Sequence, residues 1–214
     1  MMRLVVIGAG GHARSVMAAI RSAGDEVVAC TDPRPELHGT TVDGVPVAGG
    51  DDQLQRLATA GVDGAALGVG GIGDNTPRRR LLDMGLALGL AFPPVVHARA
   101  VVEASAELGQ ATVVLAGAVV GAGARLQANV IVNTSAVVEH DCAVGDDVHI
   151  ATGALLGGAV TVERGAHVGI GAVVLQGVVV GEQAIVGAGA VVVRDVRAGV
   201  VVVGVPAVER GSAG

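Results

Sequence analysis

Three histidines in the second half of the chain suit acid–base chemistry by their residue type and their spacing. His140 stands between Glu139 and Asp141, His149 follows nine residues later, and His167 comes a further eighteen residues on. Histidine exchanges its proton near neutral pH, so each of these rings is a candidate general base. Which of them can act together depends on the element that carries them.

That element is a six-residue repeat, which runs from Ala100 to Asp195 without an insertion. The third residue of all sixteen hexads is aliphatic, and the first is ten times Ala, four times Val, and once each Thr112 and Cys142. Because side chains alternate along a strand, the first and third residues face one side and can fill a narrow core. One hexad cannot bury this face alone, whereas stacked coils can, so the repeat predicts a solenoid.

The repeat resembles the hexapeptide-repeat left-handed β-helix, in which three hexads form one triangular coil. That resemblance implies a parallel β-helix of a little over five coils, and it alone supplies the left-handed winding. A different β-solenoid is the alternative. Within this scheme Cys142 occupies an inward position, where a cysteine behaves as a small core residue.

The position of each histidine in its hexad predicts where it lies. His140 is fifth, on a corner, and His149 is second, facing outward, so neither is expected in the coil core. Nine residues are half of an eighteen-residue coil, which places the two rings on different sides of one prism. They can serve one reaction centre only if a second subunit supplies His149. His167 should stack beside His149 in the next coil.

The first part of the chain has a different pattern. Short apolar runs at residues 4–7, 27–30 and 65–68 alternate with helical stretches at 14–23, 51–60 and 77–88. This order predicts a small Rossmann-like βαβαβ domain over residues 1–95, followed by the β-helix domain over residues 96–214. Pro93 and Pro94 mark the passage between them.

A glycine-rich turn follows the first predicted strand and opens the first predicted helix. Residues 8–13 spell Gly-Ala-Gly-Gly-His-Ala, a pattern that lets the backbone approach phosphates at a helix N-terminus. Asp32 lies about twenty residues on, where a ribose hydroxyl is often bound. Taken alone, this predicts NAD, but about ninety residues make only half of a dinucleotide-binding fold. A mononucleotide or nucleotide sugar fits better, and glycine that merely permits close packing is the structural alternative.

Composition limits the partners. The net charge is −6, and no basic cluster exceeds residues 78–80, so the chain has no footprint for nucleic acid. The apolar runs are too short to span a membrane and no export signal is visible, so a cytoplasmic protein is expected.

Three histidines on a β-helix could instead hold zinc. His140, however, does not lie in the column of stacked residues that contains His149 and His167. No metal is therefore expected.

Several motifs make the resemblance more specific. The chain is similar to the sugar acetyltransferase family that includes sialic acid O-acetyltransferases and bacterial nucleotide-aminosugar N-acetyltransferases. The similarity extends from Leu4 to Ala207, and the motifs that carry it are residues 8–13, 133–142, 148–153, 157–158, 168–171 and 204–207. It implies acetyl-CoA as co-substrate, a nucleotide-linked sugar as acceptor and assembly as a homotrimer.

The resemblance also implies roles for individual residues. His140 would be the general base with Asp141 orienting it, although Glu139 is an alternative partner. His149 would hydrogen-bond the acetyl carbonyl, and the Gly158 backbone would lie near the thioester. The other matched positions are Ile170 and Ala188 along the coenzyme A arm, and Gly10, Gly11, His12, Asp32, Gly68 and Asn133 at the nucleotide sugar.

The sequence departs from the family pattern at two positions, and two alternative functions stay open. The family usually has a basic residue after Gly-x-Pro-Ala, near the coenzyme's phosphates, but this chain has Val208, and Arg210 is a possible substitute. The usual pair of acidic residues after the second strand is Thr31-Asp32 here, which leaves the nucleotide undefined. N-acetylation of a nucleotide-linked amino sugar is the predicted reaction. Sugar O-acetylation and a non-catalytic nucleotide-sugar-binding or scaffold role are the alternatives.

Overall fold

The computed structural model describes residues 1–212 and divides the chain into two compact units. The first unit comprises residues 1–70 and 76–98, and the second comprises residues 71–75 together with the chain from residue 99 onward. Residues 71–75, which we call the strap, therefore belong to the second unit although the flanking sequence belongs to the first.

The first unit is a small α/β domain, as the sequence predicts. Its central parallel sheet has the order β2-β1-β5. The elements in chain order are β1 Arg3–Ile7, α1 Gly11–Ser22, β2 Glu26–Thr31, β3 Thr41–Val42, β4 Val45–Pro46, α2 Leu54–Thr59, β5 Gly64–Leu67, α3 Thr76–Ala87 and β6 Val95–Val96, with 3₁₀ turns at Pro35–Leu37 and Asp51–Gln53.

The alternation of strands and helices in this domain follows from the pattern in which each element buries its apolar residues. Every residue of β1 from Leu4 to Ile7 is buried, as expected for a central parallel strand covered on both faces. Helix α1 buries one stripe at helical spacing, formed by Ala13, Val16, Met17, Ala19 and Ile20.

Two glycines allow β1, β5 and α1 to meet closely. Gly8, at the end of β1, has φ +109°, in the region that favours glycine. A Cβ atom on Gly68 would lie 2.7 Å from both the Ala13 Cβ and a Val6 methyl group, which is too close for any side chain. Glycine at position 68 is therefore explained by packing.

The second unit is a parallel β-solenoid, and the six-residue period predicted from the sequence is confirmed in every coil. Successive short strands of the coils fall in turn into three parallel sheets, which we call faces A, B and C; these strands have two residues each except Val200–Val203, which has four. Face A contains Val101–Val102, Val119–Val120, Val137–Val138, Leu155–Leu156, Val173–Val174 and Val191–Val192. Face B contains Glu107–Leu108, Arg125–Leu126, Ala143–Val144, Thr161–Val162 and Val179–Val180. Face C contains Val113–Val114, Ile131–Val132, His149–Ile150, His167–Val168, Ile185–Val186 and Val200–Val203, and the antiparallel strand Val208–Ser212 follows it.

The interior of the solenoid is filled by the residues that the repeat assigns to it. Third-position residues such as Val138, Ile150 and Val168 are fully buried. Cys142 is also buried, and its thiol donates to the Gly157 carbonyl at 3.3 Å, which confirms it as a small core residue. Each strand pairs with the residue eighteen positions on, so any column of the solenoid can be counted along the sequence.

Over residues 1–212, no helix is long and apolar enough to cross a bilayer. In the same part of the chain, no group of three or more His, Cys, Asp or Glu residues is arranged to hold a metal ion.

Candidate active site

His140 lies on the corner where the chain turns from face A to face B. Its Nδ1 is 2.9 Å from the Asp141 Oδ2, so the ring contacts the carboxylate of the next residue. Glu139 uses its carboxylate differently, since Oε2 accepts the backbone N–H of His140 at 3.2 Å. The geometry therefore makes Asp141, and not Glu139, the partner of the ring.

The electrostatics of this corner favour a basic histidine. The hydrogen bond from Asp141 raises the pKa of His140, burial opposes this rise, and the charges of Asp141 and Glu139 make smaller contributions that also raise the pKa. Since Nδ1–H donates to the carboxylate, Nε2 is the nitrogen left to take a proton. The side chain is 62% exposed, so a substrate can reach it.

The next coil presents Gly158 directly beside His140. The two residues are eighteen positions apart, and the Ala159 N–H donates to the His140 carbonyl at 2.8 Å. A Cβ atom on Gly158 would lie 2.5 Å from Nε2 and 2.6 Å from Cε1 of His140. The imidazole thus occupies the space that a side chain at position 158 would need, and Nε2 is the ring atom closest to this backbone.

On face C, His149 has both ring nitrogens in hydrogen bonds. Its Nδ1 is bonded to the Gly71 carbonyl of the strap, and its Nε2 is 3.2 Å from the Asn133 Nδ2. The prediction that His149 faces out of the coil core is confirmed by its place on face C. The residue is nevertheless only 6% exposed, and its contact with the strap is one that the hexad pattern does not encode.

His167 stacks beside His149 in the next coil, as the eighteen-residue spacing predicts. The two strands pair with His149 opposite His167, and the ring centroids are 4.9 Å apart in an edge-to-face arrangement. Burial lowers the pKa of His167, which favours the neutral ring at neutral pH. Its Nδ1 is buried and has no hydrogen-bond partner among residues 1–212.

The predicted solenoid residues therefore form two separate groups. The first group lies on the corner between faces A and B and comprises His140, Asp141 and Gly158. The second lies on face C and its corner with face A and comprises Asn133, His149, Ile170 and Ala188. Ile170 and Ala188 occupy one corner column and are both exposed. Within one chain, the whole of face A separates the two groups.

In the first unit, Gly10 and Gly11 form the N-terminus of α1 beside an open pocket. Neither glycine has an atom within 4 Å of where a Cβ would be, and no side chain caps the helix. The free space measures about 460 Å³ and is bordered by Ala9, Gly10, Gly11, Arg14, Arg34, Leu37, Thr41, Val42 and Asp43. A helix N-terminus flanked by two arginines suits the phosphates of a nucleotide.

Asp32 does not present a free carboxylate to this pocket. Its Oδ1 accepts from the Arg34 Nε at 2.7 Å, and its Oδ2 accepts from the Ala9 N–H at 3.0 Å. The hydrogen bond from Arg34 is the main reason that the pKa of Asp32 falls to about 2, although burial opposes the shift. Asp32 thus ties the glycine turn to Arg34, a residue that the sequence analysis missed although it lies only two positions on.

Two other residues predicted to contact the nucleotide sugar, Gly68 and His12, pack against neighbouring residues of the first unit. Gly68 is buried against Ala13 and Val6, so close packing accounts for it. His12 is half-buried and lies against the backbone of Gly70, where a Cβ atom would be 3.4 Å from the imidazole. Arg14 pairs with Asp43 at 2.9 Å at the rim of the pocket, a second contact that the sequence analysis did not foresee.

At the end of the solenoid, Val208 begins the antiparallel strand and is 46% exposed. Arg210 is exposed in the same strand, whereas Arg197 is paired with Glu209 at 2.7 Å. The structure therefore leaves an exposed arginine two residues beyond the position where the family usually has a basic residue.

The chain is similar to a protein family and to several solved structures. The PglD N-terminal domain family matches residues 3–84. A crystal structure of a mutant GDP-perosamine N-acetyl transferase from Caulobacter crescentus, in complex with CoA and GDP-perosamine, is 37% identical, with a TM-score of 0.88 and cover of 98% of this chain and 97% of that one. The acetyltransferase domain of PglB from Neisseria gonorrhoeae, in complex with acetyl coenzyme A, is 37% identical, with a TM-score of 0.87 and cover of 98% and 99%.

A more distant similarity covers the same length. WeeI from Acinetobacter baumannii is 25% identical, with a TM-score of 0.64 and cover of 98% of this chain and 100% of that one. No curated protein sequence matches the chain.

Proposed function

Since the chain belongs to the hexapeptide-repeat β-helix nucleotide-sugar N-acetyltransferases, we propose that it moves an acetyl group from acetyl-CoA to the amino group of a nucleotide-linked amino sugar. The observation that carries this proposal is the corner at His140. An exposed histidine is bonded through Nδ1 to Asp141, and its Nε2 lies against the Gly158 backbone. That is the arrangement a general base needs beside an acyl donor.

In the proposed reaction, His140 takes a proton from the sugar amine as the nitrogen attacks the thioester carbonyl. The C–N bond forms, the C–S bond breaks, and the departing thiolate can receive that proton from the imidazolium. Asp141 stabilises the imidazolium through its hydrogen bond to Nδ1. No covalent acyl-enzyme is needed, because the amine itself is the nucleophile.

The acceptor would bind through the first unit. The open N-terminus of α1 at Gly10 and Gly11 offers backbone N–H groups to the diphosphate, and Arg14 and Arg34 stand at the rim of the same pocket. GDP-perosamine is bound by the Caulobacter relative, so GDP-perosamine is the first acceptor to try. The identities of the sugar and of the nucleotide's base stay predictions, as does the cytoplasmic location expected from the sequence.

We propose a homotrimer in which two subunits share each active site. His140 and His149 lie on different sides of one solenoid, with face A between them, so a neighbour's face C would have to meet the His140 corner. Exposed apolar side chains support such a contact. Val101 and Leu155 on face A, and Val193 beside its corner with face B, are each more than 40% exposed.

The first experiment is an acceptor screen that follows thiol release from acetyl-CoA. The panel contains GDP-, UDP- and TDP-linked amino sugars together with sialic acid. We expect turnover with one nucleotide-linked amino sugar, and a loss of at least 10²-fold in His140→Ala. The control is Arg164→Ala, because Arg164 is also exposed at the fifth position of a hexad but lies on another corner.

The other outcomes distinguish the alternatives. Thiol release with a hydroxyl acceptor only would favour sugar O-acetylation. Nucleotide-sugar binding that is unchanged in His140→Ala, with no thiol release from any acceptor, would favour the binding or scaffold role.

A shared site makes a separate prediction for mixed trimers. His140→Ala and His149→Ala proteins are each expected to be inactive, but subunit exchange between them should restore activity. With random mixing, about one site in four would combine an intact corner and an intact face C. Exchange without any recovery would argue against a shared site.

A further inference from the structure

The backbone at Arg34, just after β2, has little conformational freedom. Arg34 stands between Pro33 and Pro35, and a residue that precedes a proline is restricted to extended backbone. Its φ of −77° and ψ of 111° lie in that region. The Arg34 N–H also donates to the Asp32 Oδ1 at 3.1 Å. The Arg34 side chain therefore leaves the chain from a stiff segment.

The guanidinium of Arg34 is held flat against the carboxylate of Asp32. Its Nε donates to Oδ1 at 2.7 Å and its Nη2 donates to Oδ2 at 3.0 Å. Two parallel bonds of this kind place the guanidinium and the carboxylate in one plane. Asp32 is only 4% exposed and also accepts from the Ala9 N–H, so the carboxylate is fixed. The Arg34 side chain is nevertheless 51% exposed, which leaves it accessible to a ligand.

The second arginine of this pocket is paired in a different way. Arg14 contacts Asp43 at 2.9 Å, but both side chains are substantially exposed, and such a surface pair is weak enough to be exchanged for a phosphate. The pKa of Asp32 is about 2, chiefly because of the hydrogen bond from Arg34, so its charge balances that of Arg34 at neutral pH. Arg14 therefore offers a charge to a ligand, whereas Arg34 offers a flat, neutralised surface.

The pocket beside Arg34 also has aliphatic walls. Leu37 follows in the same segment, Val42 belongs to the β3–β4 hairpin, and both are half-buried and border the same space of about 460 Å³ as Arg34. A volume of this size suits a small ligand. In α/β domains the ligand lies at the carboxyl ends of the strands, and the residues after the second strand meet the nucleoside. A planar guanidinium with two aliphatic neighbours suits a flat ring there.

We infer that Arg34 recognises the base of the acceptor nucleotide by stacking its guanidinium, held flat by Asp32, on the ring, and that this base is a purine. This inference rests on the proposed function and deepens it, because it names the nucleotide class and the residue that selects it. Guanidinium planes stack on nucleic-acid bases, and the two rings of a purine cover more of such a plane than the one ring of a pyrimidine. Leu37 and Val42 contact the same base in this arrangement.

The first test compares bases and needs no acetyl transfer. Calorimetry measures the Kd of the whole protein for GDP, ADP and UDP, which share the diphosphate, so that differences report the base. We expect the preferred purine nucleotide to bind at least about fivefold more tightly than UDP, within the range that one stacked base contributes. UDP bound as tightly as both purine nucleotides, or no binding of either purine nucleotide, would overturn the inference.

The second test distinguishes stacking from charge at position 34. Arg34→Tyr keeps a flat face without the charge, and Arg34→Lys keeps the charge without the flat face. For the preferred purine nucleotide, we expect Kd to stay within about threefold in Arg34→Tyr and to rise at least about tenfold in Arg34→Lys. Both variants lose the paired bonds to Asp32, so that loss does not explain a difference between them. The opposite order would show that Arg34 binds phosphate and would overturn the inference.

The matched comparison is the same pair of substitutions at Arg14. Arg14 borders the same pocket and is paired with a carboxylate, but it lies in the first turn of α1, where the phosphates are expected. Arg14→Lys should therefore keep more affinity than Arg14→Tyr. The same order of effects at positions 14 and 34 would overturn the division of roles between the two arginines.

Fluorescence reports the stacking itself. The chain contains no tyrosine and no tryptophan, so the side chain introduced by Arg34→Tyr is the only strong emitter. We expect its emission to fall when the preferred purine nucleotide binds, after correction for absorption by the nucleotide, and to fall less in Arg14→Tyr. Unchanged emission of Arg34→Tyr at a saturating nucleotide concentration would overturn the stacking.

These readouts separate the inference from the proposed function. A purine preference that follows the flat face at position 34, in a protein that transfers acetyl to no acceptor, would overturn the proposed function and retain the inference. Acetyl transfer to a UDP- or TDP-linked amino sugar in preference to GDP- and ADP-linked ones would do the reverse.

Discussion

The imidazole of His140 occupies the space above Gly158, so that a Cβ atom on Gly158 would be 2.5 Å from Nε2. The two residues are one coil apart on the same corner. Only glycine at position 158 leaves the ring where its Nδ1 can reach Asp141 at 2.9 Å. The orientation of the His140 ring thus depends on the absence of a side chain eighteen residues later.

Gly158→Ala should therefore reduce activity while the protein stays folded. The new methyl group displaces the ring of His140, which can swing into solvent because the side chain is 62% exposed. We expect kcat to fall by at least about tenfold, since a misplaced base loses much of its contribution. Steady-state kinetics and a melting curve together check this.

A glycine with room around it serves as the control for that variant. Gly211 has no atom within 4 Å of an added Cβ, so Gly211→Ala should leave both kcat and the melting temperature unchanged. Full activity in Gly158→Ala would contradict the proposed position of the base.

Replacing Asp141 should move the pH dependence of the reaction. Asp141 raises the pKa of His140, and a general base works only in its neutral form, so wild-type activity rises with pH through that raised pKa. In Asp141→Asn the pKa should fall toward the ordinary value of about 6.5, and the acidic limb of kcat/KM should move to lower pH. The plateau should be lower, because the base is weaker.

Asparagine is a suitable replacement at this position. Asp141 has φ +59°, a conformation that asparagine also tolerates, so the backbone of the corner should not be disturbed. Glu139→Gln is the matched comparison, since Glu139 acts on the ring through its charge alone, and its limb should move less in the same direction. An acidic limb that stays in place in Asp141→Asn would exclude His140 as the titrating base.

Asp32 should contribute to stability in a defined pH range. Its pKa is about 2 in the folded protein and about 3.9 in an unfolded chain, so its stabilising effect is complete above about pH 4 and is lost as the pH falls toward 2. Asp32→Asn should lower the free energy of unfolding by about 2 kcal/mol at pH 7, because charge-assisted hydrogen bonds to Arg34 and Ala9 are lost.

The measurement for Asp32 is urea unfolding at pH 7, 4 and 3, followed by circular dichroism at 222 nm. The three α-helices among residues 1–212 all lie in the first unit, so this signal reports the domain that contains Asp32. The difference between wild type and variant should shrink toward pH 2. Asp83→Asn, at an exposed carboxylate of α3, is the control, and a difference that is constant with pH would contradict the role given to Asp32.

The two glycines Gly10 and Gly68 should respond differently to alanine. Gly68→Ala forces a methyl group to within 2.7 Å of Ala13 and Val6 and should destabilise the first unit by about 1–3 kcal/mol. Gly10→Ala has free space and an ordinary φ of −85°, so the fold should be retained.

Nucleotide-sugar binding by the Gly10→Ala variant tests whether the space beside Gly10 receives the phosphates. If the N-terminus of α1 receives the diphosphate, the methyl group of Gly10→Ala narrows the approach and should weaken nucleotide-sugar binding at least about tenfold, measured by calorimetry. Unchanged affinity in a stable Gly10→Ala protein would move the phosphates elsewhere.

The period of the sequence by itself determined the direction of almost every side chain in the solenoid. Sixteen aliphatic residues in phase admit one register of stacked strands, and that register places His140 on a corner, His149 on an outward face and His167 beside it. Likewise, an apolar strand, a glycine turn and an amphipathic helix specify the start of the first unit. These features are local or periodic, so they are encoded within a few residues of where they act.

Tertiary structure decided the contacts between residues that are far apart in sequence. The strap meets His149 across 78 positions, and this outward histidine is buried although the repeat alone does not predict that. Asp32 bonds to Ala9 across 23 positions, which takes up an oxygen expected to face a ribose. Periodicity fixes which way a side chain points, but what covers it depends on where distant segments pack, and no repeat in the sequence records that.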